Sequence, residues 1–135
     1  MVVWFARVFL FFMGFTYLAI GVWAILDPLL RAVELGYPSF LDAVGLTVTS
    51  EIGYSEIAGL YGGLNVVIGI MCFIGIFNKQ ISFFIIRFLA MLVGSIALGR
   101  VIFSLLPTTP TFINSFFIFE VVGFVICIFL IKNYK

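Results

Sequence analysis

Residues 81–106 read ISFFIIRFLAMLVGSIALGRVIFSLL, a run broken only by the charges of Arg87 and Arg100. At about 1.5 Å of rise per residue, roughly 20 apolar residues in a helix cross the ~30 Å hydrocarbon core of a bilayer. A surface helix of a soluble domain would show a polar face at the 3.6-residue period. This run shows none, so its reading is a transmembrane helix.

Three further segments share that character, at 8–26, 57–77 and 112–131. The strands of a membrane barrel would be short and alternating, and these runs are neither. The breaks between them are chemically apt. Asp27-Pro28 is expected to stop the first helix, because proline cannot continue one and restricts the residue before it. Asn78-Lys79-Gln80 is expected to form a short polar turn, and Pro107-Thr108-Thr109-Pro110 a break before the last span. The expectation is one all-α, polytopic domain of four transmembrane helices covering residues 1–135. The first span is read as a retained helix rather than a cleaved signal peptide, since it is longer than a signal core and has no small-x-small site before Asp27.

Composition agrees. Apolar residues make up 64% of the 135 and charged residues 10%, against about 45–50% and 25% in soluble domains. A small soluble domain leaves too much surface in water to hide such a chain. The net charge of +1 and the lack of a basic cluster exclude a nucleic-acid partner. Histidine is absent, which removes the commonest metal ligand and general base. Cys72 and Cys127 stand in separate apolar runs and form no Cys-x-x-Cys motif, so they read as small buried hydrophobes. Gly62-Gly63 lacks the lysine and hydroxyl residue of a phosphate loop. No cofactor and no metal are expected, and no catalytic set is legible.

Lys and Arg mark the cytoplasmic side of a membrane protein. Arg7 precedes the first span, Lys79 and Arg87 flank the second turn, and Lys132 and Lys135 follow the last. Four crossings put all of them on one side, so both ends are expected inside. The outer loop, 27–55, carries Arg31 among Asp27, Glu34, Asp42 and Glu51. Within it, residues 38–44 suit a short interfacial helix, with Ser39 as its cap and Asp42 three residues on. Trp4, Trp23, Tyr37 and Tyr54 fall near the expected membrane edges, as an aromatic belt does.

Polar groups at depth are costly in lipid and normally paired. Glu56 opens the second span, Arg100 lies ~9 Å inside the third, and Glu120 ~12 Å inside the fourth, at 1.5 Å per residue. The expectation is a Glu56–Arg100–Glu120 cluster, with the guanidinium bridging two carboxylates. Arg87, near an end, is expected to snorkel to the headgroups. Glu56, Gly59 and Gly63 share one helical stripe, and Gly62, Asn65 and Gly69 another, with Tyr61 beside it. Gly94 lies between Ala90 and Ala97 in the third span. Such small residues let helices approach closely, and Asn65 can hydrogen-bond across them. The second span is therefore expected to be central.

The stretch Ser55-Glu56-Ile57-Ala58-Gly59-Leu60-Tyr61-Gly62-Gly63-Leu64-Asn65, with Gly99-Arg100 and Glu120, resembles a family of small bacterial four-helix membrane proteins, domain of unknown function 4345. The family pattern has Glu-Ile-Arg-Ala-x-Tyr-Gly-Gly opening helix two, a Gly-Arg pair in helix three and an acid in helix four. Here Ala58 stands for the family arginine and Gly59 for its alanine, so no role of that arginine carries over. The resemblance implies the four-helix architecture and the importance of Glu56, Tyr61, Gly62, Gly63 and Arg100, and it implies no activity.

The expectation that follows is a non-enzymatic membrane protein in a bacterial inner membrane, an accessory or structural subunit packed on other membrane subunits or on copies of itself. The alternative is a small proton- or ion-coupled transporter or lipid-binding protein using the Glu/Arg cluster. A lipid- or quinone-directed enzyme is the third reading, weakened by the thin catalytic inventory.

Overall fold

The computed structural model describes residues 1–30, 36, 38–104 and 114–134, with 28–30 described by backbone alone. Arg31, Glu34, Tyr37, the Pro107–Pro110 break and Lys135 lie outside the described residues. Every regular element described is helical: α1 (Val2–Leu30), α2 (Phe40–Val44), α3 (Glu51–Ile57), a π-helical turn (Ala58–Gly63), α4 (Leu64–Phe77), α5 (Lys79–Phe103) and α6 (Ser115–Asn133). α3, the π turn and α4 form one continuous helix. Four helices are long and apolar enough to cross a membrane: Val2–Asp27, Glu51–Phe77, Lys79–Phe103 and Ser115–Asn133.

The boundaries correct the sequence reading in four places. α1 runs through Asp27-Pro28 to Leu30. Proline in a last turn removes one hydrogen bond where the helix is about to end, and that loss is tolerable. The second long helix starts at Glu51, where Ser50 Oγ accepts the Gly53 N–H at 3.2 Å. The polar turn before α5 shrinks to Asn78, whose Oδ1 accepts the Ile81 N–H at 3.1 Å, so Lys79 and Gln80 are already helical. α6 starts at Ser115, capped by Asn114 Oδ1 on the Phe117 N–H at 3.0 Å. In each capped case a short polar side chain, not the onset of hydrophobicity, sets the end.

The chain forms two compact units, one of residues 1–10 and 75–135, the other of residues 11–74. In the first, α5 and α6 pack along their length around buried Ile85, Ile86, Leu89, Val93, Cys127 and Leu130. Gly94 accepts the Phe124 ring, which would stand 2.9 Å from a Cβ there.

In the second unit, α1 and α4 meet backbone to backbone. A Cβ on Gly21 would lie 2.7 Å from the Val66 nitrogen and 2.8 Å from the Gly62 carbonyl oxygen. A Cβ on Gly69 would lie 2.8 Å from the Leu18 nitrogen and 2.9 Å from the Gly14 oxygen. Where lipid is the solvent, such close approach replaces hydrophobic exclusion as the source of helix–helix affinity. Gly62 also takes part, against Ile25.

Gly59 faces open space and Gly63 meets only the Ala58 carbonyl of its own helix, at 3.8 Å. The Glu56–Gly59–Gly63 stripe therefore makes no helix contact of this kind. The cause is the π turn, in which the Leu64 N–H reaches back five residues to the Gly59 carbonyl. One extra residue in a turn rotates everything beyond it by about 100° relative to a regular helix. A stripe counted at 3.6 residues does not survive that turn.

Gly69→Val and Gly21→Val should each cost on the order of 1–3 kcal/mol through overpacking against backbone. Gly59→Ala should be neutral within about 1 kcal/mol. Thermal melts of the three variants in one detergent check the contrast, and equal losses would contradict the contact.

Candidate functional site

Arg100 opens the last turn of α5, and Glu120 lies in the second turn of α6. They meet as a bidentate pair. Arg100 Nε donates to Glu120 Oε2 at 2.9 Å and Nη2 donates to Oε1 at 3.1 Å. The side chains are 33% and 10% exposed, so the carboxylate is the more enclosed partner. A flat guanidinium matches a carboxylate edge in this way and no ammonium would. From the observed ends, Arg100 is about 4.5 Å along α5 from Phe103 and Glu120 about 7.5 Å along α6 from Ser115. Both depths are shallower than the sequence suggested, because both helices are shorter.

Glu56 belongs to the other unit and is exposed. Both hydrogen bonds described for Arg100 go to Glu120, and these are the two members of the expected trio that share a unit. The Glu51–Phe77 helix has 27 residues, about 40 Å at 1.5 Å each, against about 30 Å of hydrocarbon. Glu51 opens that helix and Glu56 follows it five residues on.

Glu56 instead lines a cleft of about 270 Å³ with Thr47, Val48, Ser50, Leu60 and Tyr61. The cleft wall is held by local contacts. Val48 packs close over Gly53, 2.7 Å from where a Cβ would be, and rests on the cluster of Ala24, Phe40 and Ile57. The Tyr61 ring lies 5.6 Å from Phe40, which meets Trp23 edge to face at 5.5 Å. Asn65 Nδ2 donates to the Tyr61 carbonyl of its own helix at 2.7 Å, rather than to a neighbouring helix as expected. A π turn frees backbone groups from the regular ladder, and a side-chain amide one turn on is a ready donor.

Asp27 was legible only as a helix stop, and its larger role was missed. It is 6% exposed, and its Oδ2 accepts both the Ser39 hydroxyl at 2.9 Å and the Phe40 N–H at 3.0 Å. Ser39 occupies the cap position of α2 without making the cap bond. The acid at the end of α1 caps α2 from a distance and fixes Phe40, hence the ring against Tyr61. Trp23 Nε1 adds a bond to the Pro38 carbonyl at 3.1 Å. At the other end of α2, Gly45 adopts φ +70, and the Leu46 N–H returns to the Leu41 carbonyl at 2.9 Å, closing the helix. The available signal was an acid at a helix end followed by a Pro-Ser-Phe helix start.

Cys72 and Cys127 are both buried, one in each unit. Among the described residues no group of three or more His, Cys, Asp or Glu is placed to hold a metal. No buried side-chain nitrogen or oxygen among them lacks a hydrogen-bond partner. No family model, curated protein or solved structure matches this chain.

Arg100→Ala and Glu120→Ala should each destabilise by about 1–3 kcal/mol, because each leaves its partner unpaired. Combining Arg100→Met with Glu120→Leu should recover most of that loss. Melting temperatures decide, and a double variant as unstable as the summed singles would contradict the pairing. Separately, Asp27→Ala should cost about 1–3 kcal/mol by stranding two donors. It should also quicken amide exchange at Phe40, while Asp42→Ala should not.

Proposed function

We propose that this chain is a non-enzymatic integral membrane protein, an accessory or structural subunit that packs against larger membrane proteins or copies of itself. The observation that carries this reading is the Arg100–Glu120 pair. Its two charges satisfy each other edge to edge, which suits a staple between α5 and α6. A proton- or ion-coupling site would hold an acid free to exchange its charge. The side chains left outward support the same reading: Phe84, Met91, Leu98, Val122 and Val125 are all exposed and apolar. They suit lipid or another transmembrane surface equally.

In this proposal both termini face the cytoplasm of a bacterial inner membrane, as the Lys/Arg distribution favours. α2 lies at the outer interface, where Asp42 meets water and Phe40 is covered. The likeness of residues 55–65 to domain of unknown function 4345 fits this architecture, with Ala58 and Gly59 as departures.

A second reading keeps Glu56. An exposed carboxylate beside Tyr61 in a cleft suits the binding of a cation or a polar headgroup, and hence a small transporter or lipid-binding protein.

Extraction in a mild detergent followed by native mass spectrometry separates the readings. The subunit role predicts one stoichiometric membrane partner or a defined oligomer, unaffected by Glu56→Gln. A monomer in liposomes that moves protons or cations, and loses that activity with Glu56→Gln, would replace it with the second.

A further inference from the structure

The charges of this chain are segregated. The unit of residues 1–10 and 75–135 holds six basic residues, Arg7, Lys79, Arg87, Arg100, Lys132 and Lys135, against Glu120 as its one acidic side chain. Glu120 is already engaged by Arg100. The remaining cationic side chains of that unit have no other acidic side chain in it to pair with.

Two of them converge on one ring. Lys79 Nζ and the Arg87 guanidinium carbon each lie 5.7 Å from the centroid of Phe83. They are eight residues apart on α5, about 12 Å along its axis, yet both lean over the same ring. Each gains a modest cation–π attraction. Bringing two like charges together at a membrane edge costs free energy that a shared anion would offset. Phe83 is itself held against Tyr134 at 4.8 Å, two residues beyond Lys132.

Beside this ring runs a groove of about 500 Å³ lined by Gln80, Phe83, Phe84, Arg87, Phe88 and Met91. Those positions form one face of α5. The groove is polar at Gln80 and Arg87 and apolar at Phe84, Phe88 and Met91, over about 16 Å of helix. The Phe84 and Phe88 rings stack with centroids 6.2 Å apart, giving the apolar part a smooth wall. A cationic head region continuous with an apolar trough is complementary to an anionic amphiphile. A small soluble anion would leave the trough unused.

We propose that this groove binds one anionic phospholipid, its phosphate between Lys79 and Arg87 and an acyl chain along Phe84, Phe88 and Met91. The site needs only that α5 crosses a bilayer and is independent of the subunit role. Basic pockets beside membrane helices recognise lipid headgroups by this same chemistry.

The test is native mass spectrometry of the full chain offered equimolar phosphatidylglycerol and phosphatidylcholine of equal chain length. One phosphatidylglycerol should be retained in preference. Arg87→Gln and Lys79→Gln should each reduce that preference roughly fivefold, the effect of about one surface charge. Arg87→Lys should largely keep it. Arg7→Gln removes the same charge away from the groove and should leave the preference within about twofold. Circular dichroism confirms that each variant is folded. The exposed Lys79 offers a second route should Arg87→Gln prove unstable. Equal retention of the two lipids by the unaltered chain would overturn the proposal. So would equal losses from Arg7→Gln and Arg87→Gln. Displacement of the lipid by millimolar inorganic phosphate would also overturn it, by making the site one for a soluble anion.

Discussion

The ion pair of Arg100 with Glu120 is the constraint on which the α5–α6 unit depends. In water such a pair contributes little, because both ions are well solvated apart. In or near hydrocarbon the comparison changes, since a lone guanidinium or carboxylate has nowhere favourable to go. The bidentate geometry fixes the register of α6 on α5 as well as their distance, and Phe124 seated on Gly94 fits that register. One polar contact near the helix ends and one ring-on-glycine contact further along orient two helices whose remaining surfaces are almost uniformly apolar.

The other unit solves the same problem without charge. Its α1 and α4 are held by close backbone contact at Gly14, Gly21, Gly62 and Gly69. Its buried acid, Asp27, works as a hydrogen-bond acceptor for α2 instead of an ion-pair partner. The two modes, ion pairing and small-residue contact, are the main sources of specificity when lipid removes the hydrophobic drive for helix association. The α5–α6 unit combines the two, and the α1–α4 contact uses small residues alone. The chain's basic residues fall almost wholly in the first unit and its acids in the second, and the lipid site proposed above rests on this division.

Much of the fold was legible because hydrocarbon imposes length and apolarity, and each of the four sequence-read spans coincides with a long helix. What was not legible depended on single polar atoms. The caps at Ser50, Asn78 and Asn114 moved helix ends by several residues, and Asp27 continued a helix where its Asp-Pro pair suggested a stop. The pairing of Arg100 with Glu120 could be read because both are charges at depth. The place of Glu56 could not, since it turns on where the second helix begins. The π turn at Ala58–Gly63 broke the Glu56–Gly59–Gly63 stripe, while Gly62 and Gly69 of the other stripe still meet α1. Gly14 and Gly21 stand seven residues apart in the first span, a spacing overshadowed by the denser glycines of the second.

The packing role proposed above rests on how α5 and α6 are joined. Among the described residues every buried side-chain nitrogen and oxygen has a hydrogen-bond partner. The claim beneath this account is that Arg100 and Glu120 are joined in the bilayer itself. Solid-state NMR on the chain in lipid, with arginine side-chain nitrogens and glutamate carboxyl carbons isotopically labelled, measures that directly. The account predicts a strong dipolar coupling between the guanidinium nitrogens and one carboxyl carbon, abolished by Glu120→Gln labelled in the same way. A spectrum without that coupling, with the arginine signal averaged by motion, would contradict it.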